Sequence, residues 1–103
     1  MYYPYILLSR RDGEMYVGCT GDLRKRLLLH NSGKVLSTKN RIPLEVIYYE
    51  AYKNRNDAFA RERFLKTGWG RNYIQRVLKN YFTRQNPEHS GLRWVKEFKN
   101  LGG

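Results

Sequence analysis

Apolar residues fall into short runs separated by polar turns, and the spacing of each run predicts its element. Residues 2–9 (YYPYILLS) mix aromatic and aliphatic side chains and predict a strand. Pro4 has no N–H to donate, which places it near the strand's start or at an unpaired position. Asp12-Gly13 is a hairpin-turn signal, and residues 15–19 (MYVGC) predict the return strand. Gly18 inside that run marks a bulge or a close backbone approach. With a two-residue turn, residues whose numbers sum to 25 pair, so Tyr16 faces Ser9 and shares a side with Leu7 and Tyr5. At ~3.3 Å per residue and ~4.8 Å between strands, the Cα atoms of Tyr5 and Tyr16 lie roughly 13 Å apart. Side chains that long can converge on an object between them.

Residues 22–31 predict a helix capped by Thr20 or Asp22 and ended by Asn31-Ser32-Gly33. A polar, basic loop over 32–43 leads to a third strand at 44–52. A helix is expected from Asn56 or Asp57 to Thr67, stopped by Gly68. Ile74, Val77, Leu78 and Tyr81 then follow the i, i+3, i+4, i+7 pattern of one amphipathic helix. The order β-β-α-β-α-α predicts an α+β domain over residues 1–82: a small three-stranded antiparallel sheet flanked by helices. Residues 83–103 form an extension, expected as a loop over 83–91 and a short helix over 92–101. Its stripe of Trp94, Val95, Phe98 and Leu101 can pack back on the domain or form a surface for a protein partner or a second copy.

Three charged or titratable side chains stand where a core would not choose them. At about 100° per residue, Glu62 lies within the stripe formed by Ala58, Phe59 and Leu65. A carboxylate there is costly to desolvate unless a cation or donor meets it, whether Arg61, Arg63 or a metal. In the helix at 22–31, Arg26 and His30 are i, i+4 neighbours bordering the sheet-facing stripe of Leu23 and Leu27. Singly, such a histidine reads as a hydrogen-bonded core residue. The pair offers a planar fork for phosphate and a group that titrates near neutrality.

Charge adds a partner to this picture. The 103 residues carry 20 Lys and Arg against 9 Asp and Glu, a net +11. Residues 1–82 hold 16 of those cations and 7 of the acids, so the field belongs to the folded body rather than to a tail. A small chain with this excess is drawn to a polyanion, DNA or RNA first and an anionic membrane surface second. Lys34, Lys39 and Arg41 in the 32–43 loop are candidate phosphate contacts. No run approaches ~20 apolar residues and no secretory leader is evident, so no transmembrane helix is expected and nucleic acid, not a membrane, is the expected partner. The lone Cys19 fits a reducing, cytoplasmic setting and allows no multi-cysteine metal site. Phosphate-binding glycine loops, H-E-x-x-H and G-x-S-x-G are absent.

Taken in order, these residues resemble the GIY-YIG nuclease superfamily, and its small members that hold little beyond the catalytic module. The first triplet reads Tyr3-Pro4-Tyr5 and the second Tyr16-Val17-Gly18. Arg26 follows ten residues after Tyr16 and His30 four after that, while Glu62 lies in the A-x-R-E-x-x-L segment from Ala58 to Leu65. The likeness covers residues 2 to about 82. The first triplet departs from the pattern in having Tyr3 and Pro4 for Gly and Ile. Many members also carry an Asn beyond the Glu, and here Asn72 and Asn80 both follow it. The resemblance implies a three-stranded sheet and a phosphodiesterase dependent on Mg²⁺ or Mn²⁺, acting on DNA with structural or weak sequence preference. It implies Tyr5 as general base or relay, Tyr16 as the group that positions phosphate or water, and Gly18 as the point of close approach. It further implies Arg26 as transition-state stabiliser, His30 as a hydrogen-bonding or proton-transfer group, and Glu62 as metal ligand. A nucleic-acid binder with an idle fold of this kind is the alternative.

The charge alone predicts nucleic-acid affinity that falls steeply with salt, because each neutralised phosphate releases counterion. A titration at low and moderate salt checks this, and unchanged affinity contradicts it.

Overall fold

A computed structural model of the chain describes residues 1–85. Its elements are β1 (Tyr3–Ser9), β2 (Met15–Thr20), α1 (Leu23–Asn31), β3 (Leu44–Tyr49), α2 (Arg55–Leu65), α3 (Gly68–Val77) and α4 (Lys79–Gln85). This is the expected α+β class, a three-stranded antiparallel sheet with helices. β1 lies in the middle, in the order β2-β1-β3. The described residues divide into two compact units, Met1–Glu62 and a second that begins at Arg63.

The first unit holds the sheet. Its central strand is buried from Pro4 to Ser9, so both faces of β1 are covered and the run reads as continuously apolar rather than alternating. On one face Tyr5, Leu7 and Leu44 pack with Tyr16, Leu23, Leu27, Ile42 and Val46, which docks α1 on the sheet. Pro4 takes a place near the start of the strand, where its carbonyl accepts from Glu50 N.

The hairpin register departs from the expectation. Tyr16 pairs with Leu7 and Gly18 with Tyr5, so partner numbers sum to 23. The connection is wider than two residues: Ser9 N donates to Glu14 O, and Gly13 N to Ser9 O with Gly13 at φ 74°. The Ser9 hydroxyl also accepts from the Arg11 and Asp12 amides. A shift of two residues preserves the side chains' faces, so Tyr5 and Tyr16 still point the same way, but closer than expected. The bulge falls between Ile6 and Leu7 opposite β3, and not at Gly18.

Helix ends follow their caps. Asp22 accepts from Lys25 N and starts α1, and Gly33 at φ 78° follows its end. Asn54 accepts from the Asn56 and Asp57 amides, so α2 begins at Arg55, slightly before its expected start. In the second unit Thr67 caps α3 through Gly70 N. The single helix expected through Ile74 and Tyr81 is two, turning at Leu78. That turn buries Phe82 and leaves Val77 exposed. α4 reaches Gln85, so the loop expected from residue 83 is helical at its start. The helix expected at 92–101 and its apolar stripe lie outside the described residues.

Gly70 is pressed against α2: a Cβ there would lie 2.2 Å from Phe64 O and 2.6 Å from Leu65 Cα. Gly68 has nothing within 4 Å. Gly70→Ala should therefore cost about 1–3 kcal/mol by forcing backbone apart. Gly68→Ala should be neutral or slightly stabilising, since Ala is the better helix former. Urea unfolding of the two variants checks the contrast.

Candidate active site

Tyr5 stands on the central strand and is 1% exposed. Its ring lies across the backbone of its partner Gly18, where a Cβ would be 2.5 Å from the Tyr5 hydroxyl oxygen and 2.6 Å from Cζ. Only a residue without a side chain leaves that space, so Gly18 is the close approach that its place in the strand suggested. Tyr16, half-buried on the same face, has its ring centroid 6.4 Å from that of Tyr5.

α1 brings the next two residues. Asn31 fixes the end of this helix to β3: its side-chain amide donates to Leu44 O at 2.9 Å and accepts from Leu44 N at 2.7 Å. One residue earlier, His30 is fully buried. Its Nε2 lies 3.0 Å from the Tyr5 hydroxyl and its Nδ1 2.7 Å from Thr38 Oγ1. Its ring also meets Tyr16 edge-on, with centroids 5.1 Å apart. Thr38 comes from the loop after α1 and is itself buried. Sequence spacing gave no sign of it. Half-buried Arg26, one turn before His30, interacts with the Tyr5 hydroxyl and, less strongly, with Tyr16.

The electrostatics follow from this packing. Burial pushes the Tyr5 hydroxyl up to about 12, against the lowering effect of Arg26. Burial, and then the Arg26 charge, depress His30 to about 4. At neutral pH the Tyr5 phenol is thus protonated, the His30 imidazole neutral and the Arg26 guanidinium charged. With the single ring proton on Nδ1 directed to Thr38, Nε2 accepts the Tyr5 hydroxyl.

Glu62 on α2 is half-buried, and its charge is felt at Tyr5 and at Cys19, raising both. Its neighbour Arg61 is engaged elsewhere. Arg61 donates from Nε to Glu50 Oε1 at 2.8 Å and from Nη2 to Oε2 at 3.0 Å. Glu50 also accepts from the hydroxyls of Tyr48 and Tyr52. Burial alone would raise the Glu50 carboxyl, but these donors hold it below the usual carboxylate range. The alternation Tyr48, Glu50, Tyr52 was a visible signal for this cluster, whereas its partner Arg61 was not.

The loop cations divide. Lys34 and Lys39 are exposed. Arg41 is half-buried against the β1–β2 hairpin, 3.4 Å from Asp12 and 3.5 Å from Glu14, with Nη2 donating to Met15 O. Among the described residues no group of three or more His, Cys, Asp or Glu could hold a metal ion. A hard cation keeps several waters and needs only one or two protein carboxylates beside substrate phosphates. Glu62 fits that limited role. No helix among the described residues is long and apolar enough to cross a membrane.

A family model described as the GIY-YIG catalytic domain matches residues 1–75. The chain is 34% identical over 96 residues to a UPF0213 protein of Streptococcus pneumoniae, covering 92% of this chain and 90% of that one. It is 42% identical over 71 residues to a UPF0213 protein of Bacillus pumilus, covering 68% and 70% of the two. With the UPF0213 protein YsiG of Lactococcus lactis it shares 39% identity over 80 residues, 77% and 76% of the two chains. No solved structure matches the chain.

The depressed His30 has a consequence for stability. The folded imidazole stays neutral down to about pH 4, whereas an unfolded histidine takes its proton near 6.5. Between those values the unfolded chain binds more protons. The contribution is intact above about pH 6.5 and is lost as pH falls towards 4, by about 3 kcal/mol at most. Urea midpoints across this range should fall for the wild type and fall less for His30→Asn. An identical slope in both would contradict a neutral buried His30.

Proposed function

The chain belongs to the GIY-YIG family, a nuclease family, and from that premise we propose that it is a divalent-metal-dependent endonuclease that hydrolyses phosphodiester bonds in DNA. The observation that carries the proposal is the meeting of Tyr5, Tyr16, Arg26 and His30 on one face of a sheet, in a protein of net charge +11. A binder needs cations, but it has no use for a carboxylate, Glu62, within the apolar stripe of α2.

Each side chain has a task in this reading. Arg26 faces the scissile phosphate and stabilises charge that develops in the transition state. Tyr16, less buried than Tyr5, positions the phosphate or the attacking water. Tyr5 stays protonated at rest and serves as relay: its hydroxyl takes a proton from water as its own passes to His30 Nε2. Free His30 is a weak acceptor because of burial and the Arg26 field. A bound phosphate offsets that field and makes it a better one. Glu62 would hold Mg²⁺ or Mn²⁺ together with substrate oxygens and waters. When bound, that ion polarises the phosphoryl oxygen and neutralises charge.

The test pairs single-turnover cleavage in Mg²⁺ with equilibrium binding in Ca²⁺, on flaps, forks, junctions, single strands and duplexes. Cleavage should require the metal and stop in EDTA. Glu62→Ala should abolish it with the fold intact. Arg26→Ala should slow it by ~10²–10³, the scale for losing one transition-state donor, with little change in affinity. Arg26→Lys should restore little, since a point charge lacks the bidentate fork. Salt-sensitive binding without cleavage of any substrate would favour an idle fold instead.

A further inference from the structure

The second unit carries a surface of its own. From Arg63 to Gln85 the chain has six cations, Arg63, Lys66, Arg71, Arg76, Lys79 and Arg84, and no carboxylate. Met1–Glu62 by contrast offsets its cations with all seven acids that precede residue 83. Within this basic stretch Trp69 is 80% exposed. The geometry of α3 sets that exposure. Gly70 and Ile74 form its buried edge, with Gly70 tight against the end of α2. At about 100° per residue, Trp69 lies about 100–140° round from that edge. Arg76, two turns on and about 20° from Trp69, is exposed on the same stripe.

A tryptophan left in water forgoes the large stabilisation that burying an indole brings, so this ring adds little to the fold. It is a flat π surface in a stretch, residues 63–85, that carries six cations and no acid. A second copy of a chain of net charge +11 would bring cations to cations. An acidic protein would satisfy the charges but has no particular need of the indole. A nucleic acid strand uses both: phosphates meet the cations, and a base stacks on the ring. In duplex DNA the bases are already stacked on each other, whereas an unpaired strand has a face to offer.

We propose that Trp69, with Arg76 and the surrounding cations, is a stacking platform for an unpaired base of single-stranded DNA. This rests on the nuclease reading for its biological sense and selects within it, favouring substrates that carry an unpaired stretch.

The experiment uses the full chain with Trp94→Phe, so that Trp69 is the one remaining tryptophan of the two. Its emission is followed in EDTA against a single-stranded oligonucleotide and a blunt duplex of equal length. The single strand should quench Trp69 strongly. Affinities are read from the anisotropy of a labelled oligonucleotide, and Trp69→Ala should weaken single-strand affinity about five- to 150-fold, the range for loss of one base–aromatic stack. Duplex affinity should change less than about twofold. Trp69→Phe should keep most of the single-strand affinity, and circular dichroism should match the wild type throughout. Equal losses on both DNAs, no loss on either, or an emission blind to DNA would overturn the platform. So would a Trp69→Ala variant whose change is in oligomeric state. A chain that quenches on single strands but cuts nothing keeps this site and loses the nuclease assignment. One that cuts while binding and cleavage ignore Trp69 does the reverse.

Discussion

A phenol hydroxyl placed inside a core has to find a partner, and the Tyr5 hydroxyl imposes that demand on the first unit. Leaving it unsatisfied would cost about 1–3 kcal/mol. Its partners come from a helix and not from the sheet: His30 directly, and Arg26 beside it. α1 must therefore dock in one rotation and one translation. The Asn31 side chain fixes the translation by pairing with both backbone groups of Leu44. Thr38 completes the chain by holding the far side of the imidazole. Gly18 is the counterpart on the sheet, since any side chain there would displace the Tyr5 ring. The same contacts that satisfy the core thus assemble a polar, cationic cluster on its edge.

A second polar anchor lies at the end of β3. Glu50 receives Arg61 through two nitrogens and the hydroxyls of Tyr48 and Tyr52. A part-buried pair of this kind contributes modestly to stability, because desolvation offsets much of the attraction. Its stronger effect is geometric. A bidentate guanidinium restricts the rotation of α2 about its axis, and Glu62 is the next residue on that helix.

Much of this was legible in the chain. Strand and helix order follows from apolar spacing and from Asp22 and Gly33 at the ends of α1. The end of α2 was misplaced: it stops at Leu65, and Thr67 and Gly68, expected to close it, cap and open α3 instead. The misplaced polar residues Arg26, His30 and Glu62 stood out because amphipathic periodicity defines where an apolar residue belongs. The hairpin register did not, since Asp12-Gly13 suits both a tight turn and the wider loop held by the Ser9 hydroxyl. The face assignment survived only because the error was an even number of residues. Thr38 was beyond reach: a threonine in a polar loop carries no periodic signal, and tertiary folding alone brings it to His30. The break at Leu78 was hidden for a related reason, as the periodicity of Ile74 to Tyr81 continues straight through it.

The central claim is that Tyr5 and His30 act as one proton-handling unit beside Arg26. A double-mutant cycle tests it most directly, comparing single-turnover cleavage in Mg²⁺ for wild type, Tyr5→Phe, His30→Asn and the double variant, with folding checked by circular dichroism. A shared relay predicts that the double variant is about as slow as the slower single one, because breaking either link stops the same transfer. Rate losses that multiply, or a folded Tyr5→Phe protein that cuts at the wild-type rate, would contradict the account.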